Sequence, residues 1–257
     1  MRENELTAKN YYDGYRGWNL QLMYERMKTM GLPDDLKEQI NQKDQVTFLV
    51  LGSATTENLG HISQIDSYLR PGKVEQDKVV IIDKNLHPLW KHQKEIAWLE
   101  GDDGWTNTPK STPEFPYPKF GLAQADMRKL PFKNNIFDMV ISDYTLNYLD
   151  NEESVSKTFQ EISRILSPGG TVMLQVRGNE KYPYEEKNKN EVPNDDIQSK
   201  IQGGVKVWYF PIQTYLKIAR QYGLELVRYD EEFGSTIDLY AVLVKKYDSS
   251  PSTTTTN

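Results

Sequence analysis

The stretch Val46-Thr-Phe-Leu-Val-Leu-Gly-Ser-Ala-Thr-Thr-Glu-Asn-Leu-Gly60 constrains the fold of this chain more than any other. An apolar, β-branched run ends at Gly52, passes through small residues and gives way to a helical pattern of Leu59, Ile62, Ile65 and Leu69. A strand, a small-residue loop and a helix in that order set backbone N–H groups and a helix N-terminus against a nucleotide-like ligand. Alone, the unit fits many α/β proteins.

The alternation continues along the chain. Leu20, Met23, Met27 and Met30 predict an N-terminal helix over 19–30, and Arg70-Pro-Gly72 closes the helix after the first strand. Pro88, at a first-turn position, opens a helix to about Leu99. Val155, Phe159, Ile162 and Leu166 form an i, i+4, i+7, i+11 stripe, begun by Asp150 or Asn151 and ended by Pro168-Gly-Gly170. Pro211 opens another helix, with Ile212, Tyr215, Leu216 and Ala219 facing inward. Further strands are expected near 79–82, 121–125, 137–142, 171–176, 224–229 and 237–244. Strands alternating with helices imply an α/β fold: a doubly wound, mostly parallel seven-stranded sheet with helices on both faces.

At 257 residues the chain suits one sizeable domain. Its net charge of −6 argues against a dedicated nucleic-acid binder. The absence of cysteine excludes disulfides, thiolate metal sites and cysteine nucleophiles. No apolar run approaches a membrane span, and Met1-Arg-Glu-Asn-Glu5 does not read as a signal peptide. A soluble cytoplasmic protein with no membrane partner is expected, and the oligomeric state is left open. Glu100–Lys119, with four prolines, reads as an extended loop. Gly178–Lys200 is rich in Glu, Lys, Asn and Asp and follows the fifth strand, so 178–207 is either a solvated loop or a substrate flap. Residues 248–257 read as a disordered tail.

Beyond the first unit come Val79-Val-Ile-Ile-Asp83, Ala125-Asp-Met127 with Leu130-Pro-Phe132, Phe137-Asp-Met-Val-Ile-Ser-Asp143 and Leu166-Ser-Pro-Gly-Gly170. In this order the segments resemble the class I (Rossmann-like) S-adenosylmethionine-dependent methyltransferases of small-molecule type, over roughly Val46 to Lys246. The resemblance implies a methyltransferase domain over 46–247 behind an N-terminal helical lid or cap, 1–45. It also implies S-adenosyl-L-methionine as cofactor, methyl transfer to an oxygen or nitrogen of a small-molecule acceptor, and no metal.

The site residues follow from the same resemblance. Asp83, closing the second strand, accepts from both ribose hydroxyls, with Lys84 beside it; the competing role is a loop or helix-capping aspartate. Asp126 accepts from the adenine amine while Met127 packs on the ring. Gly52, Ser53, Ala54 and Thr55 approach the methionine end. The loop departs from the family pattern: Val50 stands where an acid is usual, and Ala54 and Thr56 where glycines are. Tyr11, Tyr15 and Arg16, in an aromatic N-terminal segment, either close over the cofactor or dock the first helix. Asp143 and Tyr144 lie nearest the expected methyl position and are the catalytic candidates. His61, His87 and His92 read as surface or packing residues.

Exclusion narrows the acceptor. Thiol-dependent cytosine methylation needs a cysteine, and the Asp-Tyr-Thr-Leu run after the fourth strand lacks the Pro-Pro-aromatic element of nucleobase amino methylation. Two other classes stay open: a non-catalytic or regulatory binder of the same fold, and a nicotinamide oxidoreductase. In the latter the acid follows the glycines by ~20 residues, whereas Asp83 follows Gly52 by 31.

Overall fold

The computed structural model describes residues 20–52, 58–85, 118–178, 198–202, 205–233 and 237–246. The expectations for Tyr11, Tyr15, Ser53, Ala54, Thr55, His87, His92, the helix after Pro88 and the tail lie outside them. Two helices, α1 (Leu20–Met30) and α2 (Asp34–Gln42), lead into β1 (Thr47–Leu51). Then come α3 (Asn58–Leu69), β2 (Lys78–Asp83), β3 (Lys119–Gln124), β4 (Phe137–Asp143), α4 (Glu152–Ile165) and β5 (Leu166–Gly178). The described chain closes with β6 (Gln198–Gln202), β7 (Val205–Tyr209), α5 (Ile212–Gln221), β8 (Leu224–Phe233) and β9 (Ile237–Lys245).

Seven strands form one sheet in the order β3-β2-β1-β4-β5-β9-β8. All neighbours up to β5 run parallel; β9 is antiparallel to β5 and to β8. The expected doubly wound, mostly parallel sheet is therefore present, with helices on both faces. Phe48, Val50, Val79, Ile81, Met139, Ile141 and Met173 face Met23, Met27, Leu36, Leu59, Ile62 and Ile65 of α1, α2 and α3. The alternate positions Leu49, Leu51, Ile82, Val140, Val172 and Leu174 pack on Phe159 and Ile162 of α4 and Tyr215 and Ala219 of α5. Both faces are covered, which is why the strands read as continuous apolar runs.

Local signals account for most boundaries. Asn151 caps α4 by accepting from Ser154 N at 2.8 Å. Gly170 ends the helix-to-strand turn because a Cβ there would lie 2.8 Å from Ser167 O. One feature was not expected: at the end of the acidic insertion β6 and β7 pair as an antiparallel hairpin. In the N-terminal helices Met23, Met27, Leu36 and Ile40 are buried in the same cluster as the sheet.

A buried charge cluster ties the amino edge together. Arg70, wholly buried at the end of α3, donates from Nε to Asp77 at 2.6 Å, from Nη1 to Ile40 O and Lys43 O at 2.7 Å, and from Nη2 to Asp44 O at 3.0 Å. The other Asp77 oxygen accepts from Val46 N at 2.6 Å. One guanidinium thus joins the end of α2 to the starts of β1 and β2. Asp66, also wholly buried, has no donor for either oxygen. Burial first, and then the neighbouring Asp77, raise its pKa from 3.8 to about 9. A protonated Asp66 donating to Asp77 satisfies the pair.

The sign of the linkage follows. Between about pH 4 and pH 9 the folded chain holds a proton on Asp66 that the unfolded chain releases, so stability falls as pH rises through that window. The wild type should lose unfolding free energy from pH 5 to pH 8.5, by at most about 1.4 kcal/mol per pH unit from this group. Asp66→Asn should flatten the slope in denaturant titrations, and an unchanged slope would assign the proton elsewhere.

Candidate active site

The strand order reverses between β1 and β4, and a ligand crevice forms at such a reversal, outside the carboxyl ends of the strands. Leu51 pairs with Ser142 there. Thr145 Oγ1, just past β4, donates to Leu51 O at 2.6 Å. Gly52 takes φ +73°, and a Cβ on it would lie 2.6 Å from that same oxygen. Glycine is required at this point by both conformation and space.

β2 and β3 carry the next two groups. Asp83 is buried, pairs with Gln124 across the strands and accepts from Asn85 N at 2.7 Å. That bond is the loop-aspartate role, placed on the residue expected to hold a ribose. Asp126 follows β3 in a turn closed by Lys129 N donating to Asp126 O at 2.9 Å. Its carboxylate takes Arg128 N and Nε on one oxygen (3.0 and 2.9 Å) and Nη2 on the other (2.6 Å). The Arg128 hydrogen bonds lower its pKa to about 2 although burial opposes them, so it is ionised at any physiological pH. Lys84 Nζ lies 3.6 Å from the same carboxylate and is largely exposed. Met127 is half-buried against the core beside Ala123 and Ala125.

β4, β5 and β9 hold a network that the sequence did not announce. The Tyr144 hydroxyl donates to Asp238 at 2.8 Å and accepts from Gln175 Nε2 at 2.7 Å. Arg177 Nε and Nη2 reach the two oxygens of Asp238 at 2.7 and 3.1 Å, and its guanidinium lies 5.1 Å from the Tyr144 ring centre. Tyr144 has φ +51°, a left-handed conformation that costs a bulky residue on the order of 1–3 kcal/mol. Burial, and then the charge of Asp238, raise its pKa, which keeps the phenol protonated. Next to it, Asp143 Oδ1 is shut off from solvent with no hydrogen-bond partner among the described residues. Burial first, and the like charge of Asp238 second, push Asp143 up to about 8, with Arg177 opposing.

The structure therefore brings Gly52, Asp83, Lys84, Asp126, Met127, Asp143 and Tyr144 to one edge of the sheet. Gln175, Arg177, Asp238 and Thr145 join them unannounced. The available signal was polarity at alternate positions of an apolar strand: Gln175 and Arg177 share the face of Met173 in β5. His61 lies half-buried in the first turn of α3.

Comparison with known proteins agrees with this geometry. A family described as a methyltransferase domain matches residues 104–174. Sterol 4-C-methyltransferase strm-1 of Caenorhabditis elegans is 26% identical over 122 residues, which cover 42% of this chain and 35% of that protein. The match thus spans only about a third of that relative's length. Among solved structures, a S-adenosylmethionine-dependent methyltransferase from Methanosarcina mazei superposes with TM-score 0.53 at 10% identity, covering 82% of this chain and 97% of the other. N-methyltransferase NodS from Bradyrhizobium japonicum WM9, solved with S-adenosyl-L-homocysteine, gives TM-score 0.51 at 12% identity, covering 95% and 98%. The fold is therefore the one seen in solved S-adenosylmethionine-dependent methyltransferases, and residues 104–174 match a methyltransferase domain.

Proposed function

We propose that this chain is an enzyme that transfers a methyl group from S-adenosyl-L-methionine to an oxygen or nitrogen of a small-molecule acceptor. The observation that carries the reading is the set of carboxylates Asp83, Asp126 and Asp143 at the carboxyl edge, around the strand-order reversal. The donor set suits the cofactor. Asp83 accepts from ribose hydroxyls, and Asp126, held ionised by Arg128, keeps lone pairs for the adenine amine. Bound S-adenosylmethionine supplies a methyl group on a sulfonium.

Direct displacement at that carbon needs alignment more than proton transfer, so the chain contributes mainly by positioning. The Tyr144 hydroxyl is committed to Asp238 and Gln175, which suits it to holding the edge of the site. Where the acceptor has a proton to lose, Asp143 is the base, its pKa of about 8 lying near working pH. Carbon methylation is the second reading, favoured by the relative named as a sterol 4-C-methyltransferase. The acidic, cysteine-free composition suits the cytoplasm. No helix among the described residues is long and apolar enough to cross a membrane.

Two segments complete the proposal. Asn147, just past β4, donates to Trp208 O of β7 at 2.8 Å and to Arg177 O at 2.7 Å, which ties the β6–β7 hairpin to the Arg177 network and supports 178–207 as a substrate flap. Arg26 donates to Asp230 at 2.7 Å and Arg228 to Met30 O, so α1 runs antiparallel to β8 and begins at the carboxyl edge. A helix that starts at the carboxyl edge supports the reading of the residues ahead of it as a lid.

Calorimetry with S-adenosylmethionine, S-adenosylhomocysteine and NAD tests the reading first. Binding of the first two and not the third is expected; binding of NAD alone would replace it with the oxidoreductase. Transfer of labelled methyl to an acceptor panel that includes sterols then separates an enzyme from a non-catalytic binder. Asp83→Ala should weaken S-adenosylhomocysteine binding by roughly 1.5–3 kcal/mol, the value of a charge-assisted hydrogen bond. An unchanged dissociation constant in the folded variant would leave Asp83 only its turn with Asn85. Deleting residues 1–18 should lower cofactor affinity while the sheet stays folded, and S-adenosylhomocysteine should slow proteolysis within that segment. Equal cleavage with and without ligand would make it docked structure.

A further inference from the structure

The ladder between β4 and β5 continues past the end of β4. Its last main-chain bond runs from Tyr144 N to Gln175 O at 2.8 Å. The chain then leaves the sheet in a 3₁₀ turn, Thr145–Tyr148, while β5 runs on to Gly178. Two residues beyond Gln175, the N–H and C=O of Arg177 point to the side that β4 has vacated. A side chain takes the place of the strand. Asn147 Oδ1 accepts from Arg177 N at 2.9 Å, and Asn147 Nδ2 donates to Arg177 O at 2.7 Å. A carboxamide carries an acceptor and a donor side by side, as a peptide group does, so it adds one rung to the ladder.

The second Nδ2 hydrogen turns the other way, to Trp208 O of β7 at 2.8 Å. Asn147 is buried, with the Tyr215 hydroxyl of α5 at 3.4 Å behind it. β6 and β7 form a separate two-stranded sheet, and such a hairpin is marginal alone. Here it is bonded to the end of β5 through one amide. The same Arg177 whose main chain Asn147 holds sends its guanidinium to Asp238 and over the Tyr144 ring. Asp143 and Asp238 share the faces of Ile141 and Val242, toward α1 and α3, whereas Asn147 meets α5 on the opposite side. Resting on the methyltransferase reading above, we propose that Asn147 is a positioning residue of the acceptor side. Its carboxamide docks the β6–β7 hairpin on β5 and fixes Arg177 over Asp238 and Tyr144, without touching the cofactor.

Two variants of nearly the same size separate this role from filling space. Asn147→Asp has at most one donor for two carbonyls, whatever its protonation state, and Asn147→Leu has neither donor nor acceptor. Backbone amide exchange, the Arg177 Nε–H resonance and calorimetry with S-adenosylhomocysteine are the readouts. Both variants should speed exchange in β6–β7 by roughly tenfold or more, the worth of a buried hydrogen bond left unmade, while β1 and β4 stay protected. Asn147→Leu should also shift the Arg177 Nε–H resonance. The affinity for S-adenosylhomocysteine should stay within about threefold of the wild type. Unchanged hairpin exchange in Asn147→Leu overturns the proposal, because the side chain then only fills space. A loosened hairpin with the Arg177 resonance unmoved overturns the positioning role and leaves an anchor. A large loss of S-adenosylhomocysteine affinity overturns it too, and moves Asn147 to the cofactor site. Should neither variant fold, the wild type decides: its Asn147 Nδ2 hydrogens should exchange far more slowly than those of an exposed asparagine, and equal rates overturn the bridge. If the wild type binds no S-adenosylhomocysteine, the methyltransferase reading falls and takes the acceptor-side role with it, whatever the exchange rates.

Discussion

The pairing of β1 with β4 is the constraint on which the rest depends. It sets the strand-order reversal, and each end of it is held by a side chain placed far away in sequence. At the amino edge, Asp138 of β4 accepts from Thr47 N at 2.9 Å and pairs with Lys43, while Arg70 and Asp77 hold the segment just before β1. At the carboxyl edge, Thr145 reaches back to Leu51 O over a glycine that leaves it room. Shifting the register by one residue would turn Asp143 and Gln175 to the opposite face and bury their polar ends among Phe159 and Tyr215. The site and the core are fixed by the same hydrogen bonds.

The two edges treat buried acids differently, and the difference tracks their tasks. At the amino edge Asp66 keeps its proton and has a carboxylate neighbour to receive it, so the cluster closes on itself. At the carboxyl edge Asp143 also tends toward its neutral form, but its Oδ1 meets no partner among the described residues. A closed cluster holds elements together; an open one has something left to bind. The left-handed backbone of Tyr144, φ +51°, is held by its N–H donating to Gln175 O at 2.8 Å and by its hydroxyl on Asp238 and Gln175.

What the sequence disclosed divides along the same physical line. Strands β1, β2, β4 and β5 were legible because a parallel sheet covered on both faces demands apolar runs, and β3, β8 and β9 from shorter apolar stretches. The α4 cap was legible because Asn151 and Ser154 are three residues apart and interact locally. Helix α2 went unread, since its nine residues carry only Leu36 and Ile40 inward and are held by tertiary packing. The β6–β7 hairpin was also passed over, although Gly203-Gly204 between Gln198–Gln202 and the alternating Val205–Tyr209 is a hairpin signal hidden by the charged run ahead of it.

The candidate site was half legible for a related reason. Asp83, Asp126 and Asp143 stand at strand ends, where sequence position and spatial position coincide. Their partners do not. Arg128 sits two residues from Asp126 and was readable in principle, but Arg177 and Asp238 are 61 residues apart and meet only because β9 returns antiparallel to β5. That late strand is what distinguishes this edge from a wholly parallel one. It brings an acid from the end of the chain beside Asp143, and two carboxylates so placed cannot both ionise freely without a cation to share. Arg177 pairs directly with Asp238 and opposes the rise in the Asp143 pKa from a distance. The pKa of Asp143 is therefore set by burial and by a strand that arrives from the end of the chain.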